Sequence, residues 1–341
     1  MQIDFHYYVT YILARLAGFD HNDANIISTS AQYVDDNNYK SVVRFDNCAI
    51  YSPIISAHKK LDYTNFDDLA NHLVWIPFHF LPGNCQKRAD EKQEEVFSKR
   101  LICLADSIIA NEMVDECIEK SSEPNSLYRL GITMHVYADT WAHKGFSGIC
   151  NESNSVRYSD NDDVSKNLKR RIEAVFGDSI TNIAGLALAL ACPLGHGSVL
   201  SYPDLPYLKW RYIDYTGNLI VRNNPTEYVE AANKMYIALE RFRGAEAEPL
   251  GEKWSALLLK YFARFNDADR EARCDKWENL LAKGAFGLNP IEVEYDQKEW
   301  EYIEDFATFE NSNWKKFNDA LKDHHYYLTC KLFPKYGLCT C

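Results

Sequence analysis

The chain has 341 residues, of which 46% are hydrophobic and 25% charged, and this composition excludes a disordered protein and supports a large core. The 49 acidic and 37 basic residues give a net charge of −12, which disfavours extended binding to nucleic acid. A small phosphate-bearing substrate is still compatible with this charge, because a bound metal can supply positive charge.

The N-terminal sequence MQIDFHYYVTYILARLAGFD lacks a positively charged start and a small-residue cleavage site, so we predict no signal peptide. The longest apolar stretch, residues 183–192, is too short for a membrane span of about 20 residues. The cysteines form no CxxC pair and are interpreted as reduced thiols, with Cys330, Cys339 and Cys341 unpaired or, alternatively, joined in a zinc or disulfide staple. A cytoplasmic protein is predicted, and export by a route without a signal peptide is left open.

Apolar residues three and four apart dominate the chain, and the predicted fold class is therefore mainly α with minor β hairpin or extended segments. Strand-forming residues are concentrated at 40–56 and 218–222. Helices are predicted over 5–17, 23–34, 91–120, 125–143, 163–176, 226–243, 250–265 and 270–283.

The helical pattern breaks at 216–225, where TGNLIVRNNPT interrupts it. We predict a metal-binding helical core over 1–216 and a helical extension over 217–341 packed on it, with one continuous domain as the alternative. Candidate chemistry lies before residue 217, because only His324 and His325 follow it among the histidines.

The helix in SLYRLGITMHVYADTWAHKGFSG carries His135, Asp139 and His143 at a spacing of four residues. This spacing places three potential ligands on one helix face over about 12 Å. Two metal ions sharing the carboxylate fit such a stripe better than one ion. The alternative is a hydrogen-bonded His–Asp–His network that only joins helices.

Two other helix ends carry potential ligands. Asp4 and His6 stand at the start of the first helix, although a histidine there is commonly just a helix-start residue. Asp35 and Asp36 stand at the end of an apolar helix, where the macrodipole disfavours anions and a cation would compensate them. A solvated acidic turn is the alternative for this pair.

Later segments also present ligand-type residues. His79 lies among apolar residues and between two prolines in NHLVWIPFHFLPG. His196 lies between two glycines, which let the backbone approach a site closely, and Asp204 lies in a segment stiffened by prolines.

The order of these residues resembles that of the zinc-dependent phospholipase C and single-strand nuclease superfamily, whose members are all-helical hydrolases with three zinc ions. Their ligands are an N-terminal group, a helix histidine, an Asp, a His, an H-x3-D helix motif, a further His, and then a His with an acidic residue. The segments MQIDFHYY, QYVDD, PFHFLPG and HVYADTWAHKGFSG also resemble an uncharacterised bacterial family. The matching positions here, within about residues 1–210, are His6, Asp36 or Asp35, His79, His135, Asp139, His143, His196 and Asp204.

The resemblance implies an orthogonal helical bundle that holds two or three ions of zinc or another divalent metal. Superfamily members use a processed N-terminal amine as a ligand. Because Met1 and Gln2 show no sign of processing, Asp4 is expected to substitute for that amine. Asp204 is expected to replace the acidic ligand that would fall at Leu200.

The resemblance also implies hydrolysis of phosphoester bonds, of the phospholipase C or nuclease kind, on a phosphate-bearing small molecule or a phospholipid. In this arrangement Asp139 bridges two ions, and Asp35 or Asp204 acts as general base. The remaining ligands divide into His135, His79 and Asp36 on one ion, His143 and His196 on another, and His6 with Asp4 on a third. The aromatic residues expected to flank the substrate are Tyr7, Tyr33 and Trp141.

Two rival functions are considered. A phosphohydrolase of the HD type requires adjacent His and Asp, and no such dipeptide occurs in the chain. A non-enzymatic helical interaction protein with a structural metal or a His/Asp network is the other alternative. Structural zinc sites commonly contain Cys, and since none of the candidate ligands is Cys, an open catalytic site is favoured.

Overall fold

A computed structural model describes residues 1–57, 68–156, 158–160, 194–301 and 305–338. As predicted, the fold is mainly α with minor β structure. The helices are α1 (Thr10–Leu16), α2 (His21–Asp36), α3 (Asp68–Phe78), α4 (Phe97–Arg100), α5 (Ile108–Glu119), α6 (Ser126–Ala142), α7 (Asn224–Phe242), α8 (Glu252–Arg264), α9 (Arg270–Ala282), α10 (Phe306–Phe309), α11 (Asn313–Tyr327) and α12 (Phe333–Lys335).

Several shorter helical segments complete the described chain. A π-helix, Asp4–Val9, leads into α1, and a second one, Leu328–Leu332, joins α11 to α12. The 3₁₀ segments are Asn84–Gln86, Glu152–Asn154, Gly197–Val199, Tyr202–Asp204, Ala285–Gly287 and Gln297–Trp300.

Helix α6 is the centre of the molecule. Its residues 128–142 are all buried, and it packs against α2, α3, α5, α7 and α11. A helix that is enclosed on every side normally carries apolar residues all round. The polar residues of α6, among them His135 and Asp139, nevertheless lie inside the protein.

Gly131 allows α2 and α6 to approach closely. A Cβ atom at this position would collide with the carbonyl oxygen of Ile27 on α2. The close approach matters for the site, because α2 carries the acidic pair and α6 carries the His–Asp–His stripe.

Two small antiparallel sheets account for the described strands. Strands β1 (Val43–Arg44) and β2 (Ile50–Tyr51) pair antiparallel within 40–56, where a hairpin or an extended segment was predicted. The second sheet has the order β3 (Tyr158–Asp160), β4 (Lys209–Ile213) and β5 (Leu219–Asn223). Strand β5 confirms the candidate at 218–222, while β3 and β4 were not predicted.

The helix predicted over 91–120 is wrong in its first half. Only α4 and α5 form there, because Asp106 has a positive φ and the Ser107 side chain caps the start of α5 by accepting from the Ala110 N–H at 3.1 Å. Helix α11 was missed, although Ser312 caps it in the same way. The helix predicted at 163–176 lies outside the described residues.

The C-terminal part of the chain packs on the N-terminal part, since α7 contacts α1, α5 and α6, and α11 contacts α6. The domain boundary after residue 216 stays a prediction. No helix in the described ranges is long and apolar enough to cross a membrane.

The cysteines differ in part from the reduced set that was predicted, because Cys150 is disulfide-bonded. Cys330 is free and exposed. The other free cysteines in the described chain are Cys48, Cys85, Cys103, Cys117 and Cys274. Cys339 and Cys341 lie outside the described residues, so the proposed staple stays a prediction.

Candidate metal centre

Asp139, which is 1% exposed, lies at the centre of a cluster of histidines. His135 is one helical turn before it on α6, with Nε2 3.3 Å from Asp139 Oδ2. His143 directly follows the end of α6, with Nδ1 3.6 Å from the same oxygen. The three residues predicted to share one helix face therefore lie together around Asp139, and all three are buried.

His79 joins this cluster from the end of α3. Pro77 lies inside α3, which ends at Phe78, and the His79 N–H still donates to the Trp75 carbonyl oxygen at 3.0 Å, so His79 stands directly at the helix end. His79 Nδ1 lies 3.4 Å from Asp139 Oδ2 and 3.3 Å from His135 Nε2. The ligand atoms of these three residues all lie within 4.8 Å of one another, as one metal ion requires.

His6 and Asp35 complete a second set with His135. The His6 ring stacks on the His135 ring with centroids 3.9 Å apart, and His6 Nε2 lies 3.2 Å from Asp139 Oδ1. Asp35 Oδ1 lies 3.9 Å from His135 Nε2 and 3.8 Å from His79 Nδ1. Neither ring nitrogen of His6 has a hydrogen-bond partner within the described part of the chain, although the residue is buried.

His143, His196 and Asp204 form a third set beside Asp139. His143 Nε2 lies 3.3 Å from Asp204 Oδ1, and His196 Nε2 lies 3.4 Å from Asp204 Oδ2. These atoms also lie within 4.8 Å of one another. The structure thus brings His196 and Asp204 to the cluster, as the sequence predicted.

Backbone carbonyls orient four of the histidines. A carbonyl oxygen only accepts hydrogen bonds, so the ring nitrogen that faces it must carry the hydrogen. The second nitrogen is then a lone-pair donor directed at the cluster, an arrangement typical of histidines that bind metal. The pairs are His79 Nε2 with Ser56 O at 2.8 Å, His135 Nδ1 with Ala31 O at 2.7 Å, His143 Nδ1 with His79 O at 2.7 Å, and His196 Nδ1 with Leu200 O at 2.6 Å.

This arrangement favours a further cation at Asp139 Oδ2, in addition to the Met1 amine that contacts Oδ1. The acceptor nitrogens of His79 and His135 face each other at 3.3 Å and both face the Asp139 carboxylate. Buried lone pairs and negative charge in such proximity repel one another unless a cation lies between them. The donor set of imidazoles and carboxylates fits zinc or a similar divalent ion.

The pKa directions favour the protonation states that a metal requires. Burial lowers the pKa of His143 and takes that of His6 well below its usual value, so both rings are neutral. Burial alone would raise the pKa of Asp139, but His143, the Met1 amine and His135 hold it well below its usual range. His79 is the exception: burial lowers its pKa, yet Asp139 and Asp35 outweigh burial and raise it.

The amino group of Met1 also lies in the cluster. It contacts Asp139 Oδ1 and lies 3.5 Å from Asp204 Oδ1. Burial opposes its charged form, but Asp139, Asp204 and Asp35 raise its pKa to about 10. The Met1 amine therefore occupies the position beside Asp139 for which the sequence analysis proposed the Asp4 carboxylate.

Asp4 and Asp36 are not brought into the cluster, so the ligand roles predicted for them are not supported. Asp4 is buried against Arg273, whose Nε donates to its carboxylate at 2.9 Å. Asp36 accepts from the Tyr295 hydroxyl at 2.7 Å and from Gln32 Nε2 at 3.1 Å. Asp35 takes the place next to the histidines instead.

Two cavities open onto the cluster. One of about 300 Å³ is lined by His79, Asp139, His143 and His196, and one of about 900 Å³ is lined by Asp35, His79 and Asp204 together with other residues. The larger cleft has the size of a small-molecule site. Aromatic residues of its wall are Trp75, Tyr202 and Tyr207.

The aromatic residues predicted to flank the substrate lie elsewhere. The Tyr7 hydroxyl lies 2.8 Å from Asn25 Oδ1 and 2.9 Å from the Glu294 carbonyl oxygen. The Tyr33 hydroxyl donates to the Trp300 carbonyl, and Trp141 is buried in the core. None of the three lines either cavity. Trp75, which was missed, stands one helical turn before His79, and that spacing was the available signal.

The chain matches the family of unknown function DUF6765 over residues 1–332 and therefore belongs to that family. No curated protein and no solved structure is significantly similar to it.

Proposed function

We propose that this member of the DUF6765 family is a metal-dependent hydrolase of phosphoester bonds, with zinc or a similar divalent metal as cofactor. One observation carries the proposal: four histidines are fixed by backbone carbonyls so that their free nitrogens face the carboxylates of Asp139 and Asp204. The proposal agrees with the resemblance of the ligand order to the zinc-dependent phospholipase C and nuclease superfamily.

Two of the three ligand sets meet at Asp139, which belongs to one of them and lies 3.6 Å from His143 of the other. The first set is His79, His135 and Asp139, and the second is His143, His196 and Asp204. His6 would be a further ligand at the first set, because its ring stacks on His135 and its Nε2 contacts Asp139. Divalent ions bound there would lower the pKa of water towards 7 and neutralise charge on the phosphoryl oxygens.

Asp35 is the better general base of the two carboxylates considered. About 31% of its side chain is exposed, it lines both cavities, and burial raises its pKa. A general base is most effective when its pKa is near the working pH, so a raised pKa makes a carboxylate a better base at neutral pH. Asp204, in contrast, contacts His143 and His196, and although burial alone would raise its pKa, these histidines and the Met1 amine lower it, as suits a ligand.

The large cleft would hold the organic part of the substrate, a phosphate-bearing small molecule or a phospholipid. Trp75 offers a flat apolar surface directly beside His79, with ring centroids 5.1 Å apart. Arg270 is the one cationic side chain among the described residues that line this cleft, and it lies on the exposed rim. It is available there to an anionic group of the substrate.

Metal content and phosphodiesterase activity test the proposal together. Protein purified without chelator is expected to carry two or three equivalents of zinc or a similar ion, and His135→Ala combined with Asp139→Asn is expected to lose most of it. A matched control is His21→Ala with Asp23→Asn, which changes the same residue types at the start of α2, outside the cluster. Wild-type metal without hydrolysis of a generic phosphodiester would instead favour the non-enzymatic alternative with a structural metal. Absent metal would contradict the proposal and favour the alternative in which the cluster is a His/Asp network.

A further inference from the structure

Arg222 of β5 closes the end of the central helix α6. It is 1% exposed, and its Nη2 donates to the carbonyl oxygens of Trp141 at 2.8 Å and Ala142 at 3.1 Å. Its Nη1 lies 3.4 Å from the carbonyl oxygen of Lys144. The last carbonyls of a helix have no partner within the helix, so this single guanidinium satisfies groups that would otherwise be buried without one.

Glu227 at the start of α7 holds the guanidinium in place. Its Oε2 accepts from Arg222 Nε at 2.8 Å, and its Oε1 lies 3.1 Å from Lys144 Nζ. The Trp210 ring covers the guanidinium at 5.5 Å. The planar fork of an arginine, with several donors in fixed directions, suits this task better than a lysine.

His143 is the residue that follows these carbonyls. Its backbone N–H donates to the Asp139 carbonyl at 2.8 Å, and its ring begins where the helix stops. We therefore expect a change in the last turn of α6 to alter the direction of the His143 ring. Neither Arg222 nor Glu227 is among the candidate ligands, and both come from the part of the chain after residue 217.

We propose that Arg222 and Glu227 form a positioning pair that fixes His143 and thereby the metal set of His143, His196 and Asp204. This inference rests on the proposed metal centre. Its consequence is that Arg222 and Glu227, which are not among the candidate ligands, affect the metal affinity of the His143, His196 and Asp204 set more than that of the set around His79 and His135. Loss of groups that orient metal ligands typically lowers metal affinity about 10- to 100-fold.

The test is the double substitution Arg222→Met with Glu227→Leu in the full chain. Removing both members of a buried pair avoids an unpaired buried charge, and such replacements often leave folding intact. The matched control is Arg129→Met with Glu116→Leu, which removes a second buried pair, 2.7 Å between Arg129 Nη2 and Glu116 Oε2, that touches none of the ligands. Metal stoichiometry, zinc affinity and the absorption spectrum of the cobalt-substituted protein are measured for each.

The Arg222 variant is expected to keep its circular dichroism spectrum and to bind one ion about 10- to 100-fold more weakly, with an altered cobalt spectrum, while the control keeps wild-type values. Unchanged affinity for every ion in the Arg222 variant would overturn the inference and leave the metal centre intact. Wild-type protein that binds no metal would overturn the proposed function and the inference together. If the double variant does not fold, Arg222→Lys decides in the same assays, because it retains the cation and loses the fork.

Discussion

The ring of His143 donates through Nδ1 to the backbone carbonyl oxygen of His79 at 2.7 Å. One candidate ligand thus holds the backbone of another, and the two belong to different ligand sets. The sets also meet at Asp139, whose Oδ2 lies within 3.6 Å of both rings. The two halves of the centre are therefore mechanically linked.

This link predicts that His143→Ala and His196→Ala differ in effect. His196→Ala is expected to remove one ion and to leave the other at wild-type affinity, because the ligands that His196 contacts, Asp204 and the His143 ring, belong to its own set. His143→Ala is expected to weaken both ions, since it also frees the backbone at His79. Zinc titration with a competing chelator measures this, and equal losses in the two variants would show that the link has no energetic role.

Asp35→Asn is expected to reduce kcat about 10²- to 10⁴-fold with metal content unchanged, because it removes the proposed general base and keeps the shape of the side chain. Its neighbour provides the control: Asp36→Asn should leave kcat near wild type, as Asp36 is bonded to Tyr295 and Gln32 away from the histidines. Loss of an ion in Asp35→Asn would identify Asp35 as a ligand instead.

Protein stability is expected to depend on His324 at mildly acid pH. Burial takes the pKa of His324 well below its usual 6.5, and Arg129, whose Nε lies 3.2 Å from its Nδ1, lowers it further. Below about pH 6.5 the His324 ring is protonated in the unfolded chain and stays neutral in the folded chain. The free energy of unfolding therefore falls as the pH falls below this value, and above it His324 has no such effect.

The measurement for His324 is urea unfolding of wild type and His324→Asn between about pH 5 and about pH 8. Asparagine retains an acceptor for Arg129 and does not titrate. The free energy of unfolding of wild type should fall relative to that of the variant below about pH 6.5, by up to about 1.4 kcal/mol per pH unit. A constant difference across the range would contradict the buried neutral state.

Gly131→Ala tests the close contact between α2 and α6. Alanine favours helix by about 1 kcal/mol, but its Cβ would collide with the Ile27 carbonyl oxygen, and overpacking of a core costs about 1–3 kcal/mol. A lower Tm is therefore expected. Gly197→Ala is the control, because its Cβ would meet nothing within 4 Å. A rise in Tm for Gly131→Ala would show that the helices separate without cost.

The sequence predicts the centre of this site better than its edge. The spacing of His135, Asp139 and His143 is local, and helical geometry alone places the three together. The choice between Asp35 and Asp36 is different, since neighbours on a helix point about 100° apart and only the packing of α2 on α6 decides which one faces the cluster.

Partners distant in sequence explain the remaining differences. Asp4 is paired with Arg273, 269 positions further along the chain, instead of lying in the cluster. No local sequence pattern predicts that pair. Arg222 stands near the end of a short strand, and nothing in the sequence around it indicates that it caps the end of α6. The helical content follows from periodicity, whereas such long-range polar contacts require the three-dimensional packing.

The central claim is that divalent ions bind between these side chains, and anomalous diffraction at the zinc absorption edge tests it most directly. Crystals of protein purified without chelator are expected to show anomalous peaks among His79, His135 and Asp139 and among His143, His196 and Asp204. A well-phased map at this edge and at those of other transition metals, with the side chains ordered and no peak among them, would contradict the account.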